Sequence, residues 1–527
     1  MMDSFARRLG TAAATAMAAM ASQACFSSAS GGPEPDASFD ARSDLDAFAG
    51  GETGDDASQP VDSGAGPDAG MDAAPPIEAG PDAAPEAGPE AGPDASTLQN
   101  AWTWVNGSNV ISSGGSYGTL RNPDPANAPP AREAAASTQG PSGKLWVFGG
   151  YTYVGASFNT YFNDLWRYDV TSGEWTWMAG ANTTGTVGVY PAMVGMGGSA
   201  SYFPGARSYA TTWVDATGNV WLFGGTDGTN DFNDLWKFDG TYWTWVSGSQ
   251  STGVAGSYPA TVGTGGSATY FPGARDGAAS WIDASGNLWL LGGTSGNNDF
   301  NDLWKFDGTY WTWVGGSSAA NTKGTYGMKG MAAAANVPGA RVLGTAEMDA
   351  SGAVWLFGGF GVDSAGNRGY LNDLWKYSGG LWTWVFGNEV GDSPTASVVY
   401  GVFPATQRAT GPTYVPGGRE SACSFVDGSG NFWVFGGWGY DGAGAQNYLN
   451  DLWMFDGTTW TWESGSNNAN LPGVYGMRGT ASLSNVPGAR WNPLGWYAGG
   501  RLWMFSGSGD DSATTPGVLN DLWSYQP

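Results

Sequence analysis

Short apolar stretches alternate with turn residues throughout the chain after residue 100, and they recur in a fixed order. After Arg207, the stretches 208–216 and 220–225 predict two strands separated by a glycine-containing turn. The stretch 233–239 predicts a third strand, and an Asp-Gly pair marks a tight hairpin turn before the fourth strand at 242–246. Four consecutive short strands predict one antiparallel sheet per repeat.

This unit occurs six times. The tetrapeptide AsnAspLeuTrp in the third strand stands at 163–166, 233–236, 301–304, 372–375, 450–453 and 520–523. TrpThrTrp in the fourth strand stands at 102–104, 175–177, 243–245, 311–313, 382–384 and 460–462. An arginine precedes each first strand, at Arg132, Arg207, Arg275, Arg341, Arg419 and Arg490. The paired tryptophans share one face of their strand, so we expect them to pack between neighbouring sheets.

The repeat is permuted relative to the chain. A fourth strand at 101–105 comes before any complete repeat, and a third strand at 520–527 has no fourth strand after it. We expect these two strands to pair, complete the last sheet and close a ring without an open edge. The predicted fold is therefore all-β: a six-bladed β-propeller at 101–527 with four antiparallel strands per blade.

Long connections run from each fourth strand to the next arginine. Each carries a recurring tyrosine (Tyr117, Tyr190, Tyr258, Tyr326, Tyr400 and Tyr475). They account for a repeat of 68 to 78 residues. Strand direction predicts that these insertions leave the same face as the loops after the second strand. Long loops on a rigid scaffold commonly carry function, so this loop-rich face is the predicted place of binding.

The first hundred residues differ from the rest. Residues 1–24 predict an export signal, with Arg7 and Arg8 before a short Ala-rich apolar stretch. Cleavage before Cys25 resembles the processing of a bacterial lipoprotein, which implies lipidation of that cysteine; soluble secretion is the alternative. Residues 25–100 predict a disordered acidic linker rich in Pro, Ala and Gly. We expect the protein outside the cytoplasm, either secreted or on the bacterial outer membrane or cell surface, with membrane contact only through Cys25.

Composition removes several classes of function. The formal net charge is −26, which disfavours nucleic acid as a partner. The chain has no histidine, which excludes histidine-ligated metals and Ser-His-Asp catalysis, and its two cysteines form no disulfide framework. No cofactor and no metal site is predicted.

The arginine before the first strand, the GlyGly pair after the second (149–150, 224–225, 292–293, 358–359 and 436–437) and the tryptophan in the fourth resemble kelch repeats. The resemblance covers residues 101–527 and implies a kelch-type propeller. Its repeats are longer than the usual ~50 residues. Galactose oxidase is a kelch-type enzyme whose copper site uses histidines, so copper oxidase activity is rejected for this chain.

Two sets of residues are candidates for a site. The six arginines (Arg132, Arg207, Arg275, Arg341, Arg419 and Arg490) suit an anionic ligand, or else each pairs with the aspartate of AsnAspLeuTrp. Glu133, Glu347 and Glu420 interrupt the small residues near the first strands, either as acid–base groups or as solvated acids at the rim.

Two functions follow from these candidates. The first is a non-enzymatic module that binds a protein or a glycan through the loop-rich face. The alternative is a metal-free carbohydrate-active enzyme, similar to the kelch-type sialic acid mutarotases, that uses Glu and Arg near the centre of the ring. An enzyme gathers acid and base at one unequal place, whereas a scaffold presents six similar positions.

Overall fold

A computed structural model describes residues 98–154, 158–391, 402, 404–409 and 411–527. These residues belong to one compact unit, Gly92–Pro527. The predicted export signal, most of the linker, Cys25 and Tyr400 lie outside the described residues. No helix in the described part is long and apolar enough to cross a membrane.

The described residues are built almost entirely of strands, with one short 3-10 turn at Pro141–Gly143. The strands of the first half are β1 (Ala101–Asn106), β2 (Ala136–Gly140), β3 (Lys144–Phe148), β4 (Tyr151–Val154), β5 (Phe158–Tyr161), β6 (Leu165–Asp169), β7 (Glu174–Ala179), β8 (Thr211–Val214), β9 (Val220–Phe223), β10 (Leu235–Phe238), β11 (Trp243–Ser247), β12 (Ala279–Ile282), β13 (Leu288–Leu291), β14 (Thr294–Ser295), β15 (Asn298–Asp299), β16 (Leu303–Phe306) and β17 (Trp311–Gly315). Those of the second half are β18 (Arg341–Val342), β19 (Thr345–Met348), β20 (Val354–Phe357), β21 (Phe360–Val362), β22 (Arg368–Tyr370), β23 (Leu374–Ser378), β24 (Leu381–Phe386), β25 (Arg419–Glu420), β26 (Cys423–Val426), β27 (Phe432–Tyr440), β28 (Gln446–Phe455), β29 (Trp460–Ser464), β30 (Arg490–Trp491), β31 (Leu494–Ala498), β32 (Arg501–Asp510) and β33 (Pro516–Gln526).

Six antiparallel sheets of the predicted kind are present among the described residues. From the first strand of the repeat outward, the sheets are β2-β3-β6-β7 (sheet 1), β8-β9-β10-β11 (sheet 2), β12-β13-β16-β17 (sheet 3), β19-β20-β23-β24 (sheet 4), β26-β27-β28-β29 (sheet 5) and β31-β32-β33-β1 (sheet 6). Short ladders such as β4-β5 and β14-β15 extend the loops between second and third strands.

The first strand of the chain completes the sheet formed by the last three. β1 pairs antiparallel with β33, with Trp102 opposite Tyr525 and Trp104 opposite Trp523. The predicted pairing of the two chain ends is therefore observed. Residues from the start and the end of the described chain share one sheet, which local strand propensity alone does not specify.

Apolar side chains form six clusters, each between two consecutive sheets, and one of them joins sheet 6 to sheet 1. The first tryptophan of TrpThrTrp packs on the preceding sheet: Trp243 lies 5.8 Å from Phe148, and Trp175 lies 5.0 Å from Phe505, between ring centroids. The predicted place of these tryptophans is confirmed. Aromatic burial between sheets is the main apolar contribution to stability.

The GlyGly pair ends the second strand where two backbones approach closely. In sheet 2, Gly224 and Gly225 have φ of +63° and +90°, and a Cβ on Gly225 would lie 2.7 Å from the carbonyl oxygen of Ser208. Glycine tolerates both the left-handed backbone and the contact. The repeated pair therefore fixes the path by which the chain leaves the sheet toward the loop-rich face.

Candidate functional site

Each repeat contains a buried ion pair between its arginine and the aspartate of AsnAspLeuTrp. In sheet 2, Arg207 Nη1 and Nη2 donate to the two carboxylate oxygens of Asp234 at 2.6 and 2.9 Å, and both side chains are fully buried. Arg207 also donates to the carbonyl oxygens of Gly205 and Gly224. The other pairs are Arg132–Asp164, Arg275–Asp302, Arg341–Asp373, Arg419–Asp451 and Arg490–Asp521.

The same aspartate also binds a tryptophan and the tyrosine of an insertion. Asp234 accepts from Trp236 Nε1 at 2.6 Å and from the Tyr190 hydroxyl at 2.7 Å. Burial and the Asp234 charge raise the pKa of Tyr190 above its usual range. The tyrosines in the equivalent contacts are Tyr117, Tyr258, Tyr326 and Tyr475. We call each Arg–Asp–Trp set, with its tyrosine where the structure describes one, a framework unit.

In each framework unit, the N–H groups of the arginine donate hydrogen bonds to other groups of the protein. Each bidentate pair uses one edge of the guanidinium, and Nε donates to a backbone carbonyl two residues earlier. This placement supports the interpretation of the six arginines as framework residues over their interpretation as ligand-binding residues. The tyrosines that donate to the aspartates were recognisable in the sequence only because they recur, and no contact was predicted for them.

Each insertion also covers the outermost strand of the following sheet. The N–H of Gly195 donates to the carbonyl oxygen of Trp245 at 2.7 Å, and the N–H of Gly330 donates to that of Trp384 at the same distance. The remaining pairs are Arg121 to Trp177, Gly263 to Trp313, Arg408 to Trp462 and Gly479 to Trp104. The insertions therefore bond to strands that would otherwise be exposed edges, a structural role that accounts for part of their length.

A second repeated feature lies two residues after each framework arginine. Ala134, Tyr209, Gly277, Leu343, Ser421 and Asn492 all have φ between +52° and +63°. Each residue from Tyr209 onward donates its N–H to the carbonyl oxygen of the previous member, at 2.8 to 3.1 Å. We call this chain of six residues the collar. It joins all six repeats through backbone hydrogen bonds.

The position between each arginine and the collar differs from repeat to repeat. These residues, which we call the mouth, are Glu133, Ser208, Asp276, Val342, Glu420 and Trp491. Each pairs with the residue that follows the GlyGly-type turn, as Glu133 does with Tyr151 and Glu420 with Trp438. The mouth therefore lies where the loops of the loop-rich face begin. Two of the three predicted glutamates, Glu133 and Glu420, belong to it.

Three acids of the mouth act electrostatically on Tyr209 of the collar. The charges of Glu133, Glu420 and Asp276 act with burial to raise the pKa of the Tyr209 hydroxyl well above its usual range. That hydroxyl also accepts a hydrogen bond from Asn492 Nδ2 at 3.2 Å, although the two residues come from different sheets. The Tyr209 hydroxyl is thus influenced by Glu133 and Glu420, two acids that are 287 positions apart in the chain.

Glu133 is 1% exposed. Its Oε1 accepts from the Tyr153 hydroxyl, and its Oε2 has no hydrogen bond of normal geometry. Burial raises the pKa of this carboxyl, although hydrogen bonding from Tyr153, Tyr151 and Ser508 opposes the rise. The carboxyl therefore lies in an apolar and tyrosine-rich setting with part of its bonding capacity unused.

Glu420 lies beside an ion pair contributed by two loops. Arg368 donates to both carboxylate oxygens of Asp299, at 2.7 and 2.8 Å. Burial and the Asp299 charge raise the pKa of Glu420 to about 8, while Arg368 opposes the rise. The sequence did not indicate Arg368, because it belongs to a loop that is not shared among the repeats.

Glu347, the third predicted glutamate, lies on β19 and not in the mouth. Its Oε1 accepts from Ser424 Oγ on β26 at 3.1 Å. Burial raises its pKa to about 8. Glu133 and Glu420 therefore both act electrostatically on Tyr209, whereas Glu347 lies between two neighbouring first strands.

The loop 227–231 contains two acidic residues, Asp227 and Asp231. Its Asp227 accepts from the N–H groups of Thr229 and Asn230, which is an ordinary Asx turn. Among the described residues, no three His, Cys, Asp or Glu side chains are close enough to hold one metal ion.

One family model matches the chain. It is described as the KLHDC2/KLHL20/DRC7 Kelch-repeats domain and covers residues 118–271, less than a third of the chain. The chain fits a kelch-repeat protein. The kelch match, together with the antiparallel four-stranded sheets, points to a protein-interaction β-propeller module. A comparison with curated proteins found no match.

Proposed function

We propose that this kelch-repeat chain is a closed six-bladed β-propeller that binds a partner protein through its loop-rich face. The observation that carries the binding site is the contrast between the six equivalent framework units and the unequal mouth. A repeated position mainly serves the scaffold, whereas specificity requires positions that differ. A glycan remains the alternative ligand.

Three observations support closure. β1 shares a sheet with β33, and an apolar cluster joins sheet 6 to sheet 1. The first strands also contact one another in sequence, from β2 through β8, β12, β19 and β26 to β31, which in turn contacts β2. A ring in which every sheet has two neighbours buries both faces of every sheet.

The binding face is tested by photo-cross-linking with the full chain. Asn297 is an exposed residue at the tip of the β14-β15 turn on the loop-rich face, and Thr309 is an exposed residue beyond the other end of β16. A photoreactive residue at Asn297 should give specific partner adducts, and one at Thr309 should give none. Equal yields from the two positions would contradict binding through the loop-rich face.

We also propose that the protein acts outside the cytoplasm, held by a lipid on Cys25. The predicted export signal and the acidic linker support this location. Replacing Cys25 with Ser should abolish fatty-acid labelling and release the protein from the membrane fraction. Unchanged labelling and fractionation would exclude the lipid anchor.

A metal-free carbohydrate-active enzyme is the second candidate, and the pKa of about 8 for Glu420 favours it. An acid with a pKa near neutrality suits proton transfer. A sugar mutarotation assay on the full chain separates the two functions. If the chain is an enzyme, the assay detects turnover and Glu420→Gln abolishes it. If the chain is a binding module, no turnover is detected.

A further inference from the structure

The mouth contains three acidic residues and no basic residue. Glu133, Asp276 and Glu420 influence one hydroxyl, that of Tyr209. Neither Glu133 nor Glu420 forms an ion pair among the described residues. The six framework arginines lie close in sequence, but each one is already paired with its own aspartate.

One arginine outside the framework units acts on the mouth, and it is already part of an ion pair. Arg368 influences Glu420, yet its guanidinium forms a bidentate pair with Asp299. The positive charge of Arg368 is therefore shared between Asp299 and Glu420. Removing carboxylates from water without matched cations is unfavourable, and a cation supplied from outside relieves it.

Three buried polar atoms of the mouth, Glu133 Oε2, Ser208 Oγ and Trp491 Nε1, have no hydrogen-bond partner among the described residues. Glu133 Oε2 accepts no hydrogen bond of normal geometry, and Ser208 Oγ in the equivalent position of the next repeat has none either. Glu133 and Ser208 are both 1% exposed. A buried polar atom without a partner is uncommon and commonly marks a place that a ligand or water completes. A ligand with several N–H donors suits the acceptor of Glu133 and the hydroxyl of Ser208.

Aromatic residues neighbour both glutamates, since Glu420 pairs with Trp438 and Glu133 accepts from the Tyr153 hydroxyl. Trp438 and Tyr448 pack edge to face at 5.1 Å, and Tyr370 and Tyr440 do so at 5.8 Å, between centroids. Tyr153, which donates to Glu133, is 36% exposed and reaches solvent. The faces of such rings attract ammonium and guanidinium groups.

We propose that the mouth binds a cationic group, the ammonium or guanidinium of a lysine or arginine side chain on the partner protein. This inference rests on the proposed protein-binding function and names the chemistry that the loop-rich face selects. A single metal ion fits less well, because no three carboxylates among the described residues are close enough to ligate one. An organic cation spans separate acids and also contacts the rings.

The test measures binding of the full chain to a short fluorescent Gly/Ser peptide that carries several lysines. The pH is about 9, above the pKa of about 8 of Glu420, so that this acid is ionised while the lysines keep their charge. The same peptide with every lysine acetylated removes the charge and keeps the length. Spermine, as a competitor, distinguishes a free polyamine from a peptide-borne cation. The lysine peptide should bind, the acetylated peptide should not, and binding should weaken between about 50 and 500 mM NaCl.

Glu420→Gln is the diagnostic variant, and Glu389→Gln is its matched control because Glu389 is an exposed acid outside the mouth. We expect Glu420→Gln to weaken peptide binding about tenfold and Glu389→Gln to leave it nearly unchanged. Glu133→Gln provides a second mouth variant if Glu420→Gln folds poorly. Thermal melts of each variant establish that it is folded.

The outcomes separate this inference from the proposed function. Equal binding of the lysine and acetylated peptides, or equal loss in Glu420→Gln and Glu389→Gln, would overturn the cationic ligand. Partner adducts at Asn297 would still leave the binding face intact in that case. Spermine binding that exceeds peptide binding would overturn the assignment to a protein side chain.

Discussion

The framework units and the mouth lie one residue apart in each repeat and follow opposite rules. The ion pair of Arg207 and Asp234 recurs in all six sheets, and its charges are matched. The adjacent position holds Glu133 in one repeat, Ser208 in the next and Trp491 in the last. Matched, identical charges stabilise the scaffold, while the unequal neighbours leave room for one specific ligand.

The largest expected effect comes from removing the strand that joins the chain ends. Deleting 101–105 removes Trp102 and Trp104, which at about 150–250 Å² each bury apolar surface worth about 10 kcal/mol gross, an upper bound. We expect the thermal midpoint to fall by about 10 °C or more. Deleting five residues of the acidic linker, 60–64, is the length-matched control. A melting temperature that stays unchanged would exclude closure by β1.

The second expected effect breaks one framework unit. Arg207→Ala leaves Asp234 buried without its cation, which should lower the free energy of unfolding by about 3–5 kcal/mol. Chemical denaturation of the full chain measures the loss. The mouth variant Glu133→Gln serves as control and should cost far less, because it leaves no charge unpaired. If both variants cost the same, the division between framework and mouth is wrong.

Much of the framework could be predicted from the sequence, because its residues recur. The repeated arginine and aspartate suggested their pairing, and TrpThrTrp indicated packing between sheets. Tyr190 was recognised only as a recurrence, since its partner Asp234 lies 44 positions away in the next sheet. Nothing in strand patterning relates residues at that separation.

The mouth was less predictable for the same physical reason. Glu133 and Glu420 were recognisable as interruptions of a small-residue pattern. Arg368 reaches Asp299 across 69 positions, through loops that no other repeat copies. The collar was also missed, because Ala, Tyr, Gly, Leu, Ser and Asn share a positive φ without sharing a residue type. Tertiary hydrogen bonding, and not local preference, imposes that backbone conformation.

A third prediction uses pH to compare matched with unmatched acids. The pKa of Glu420 is raised from its ordinary value near 4.5 to about 8 in the folded state. Between those values the folded protein binds more protons than the unfolded chain, so this group makes stability fall as pH rises, by at most about 1.4 kcal/mol per pH unit. The contribution is complete below pH ~4.5 and is lost above pH ~8.

Urea denaturation of the full chain between about pH 5 and pH 8 measures this dependence. Glu420→Gln should flatten the fall, and Glu347→Gln should do the same because its pKa is also about 8. Glu389→Gln, at an exposed position, should leave the slope unchanged. If neither Glu420→Gln nor Glu347→Gln changes the slope, the fold does not hold these two acids in the protonated form.

The smallest expected effect asks whether the framework units are equivalent in energy as well as in geometry. Tyr190→Phe removes one hydroxyl donor from Asp234, while Arg207 and Trp236 still satisfy that carboxylate. The loss should be about 1 kcal/mol in unfolding free energy. Tyr258→Phe, in the next repeat, keeps the same donor geometry at 2.7 Å and should cost the same within about 0.5 kcal/mol. If the two costs differ several-fold, the framework units are not equivalent in energy. One unit and its insertion would then have a role besides stabilising the scaffold, and framework and mouth would not be sharply distinct.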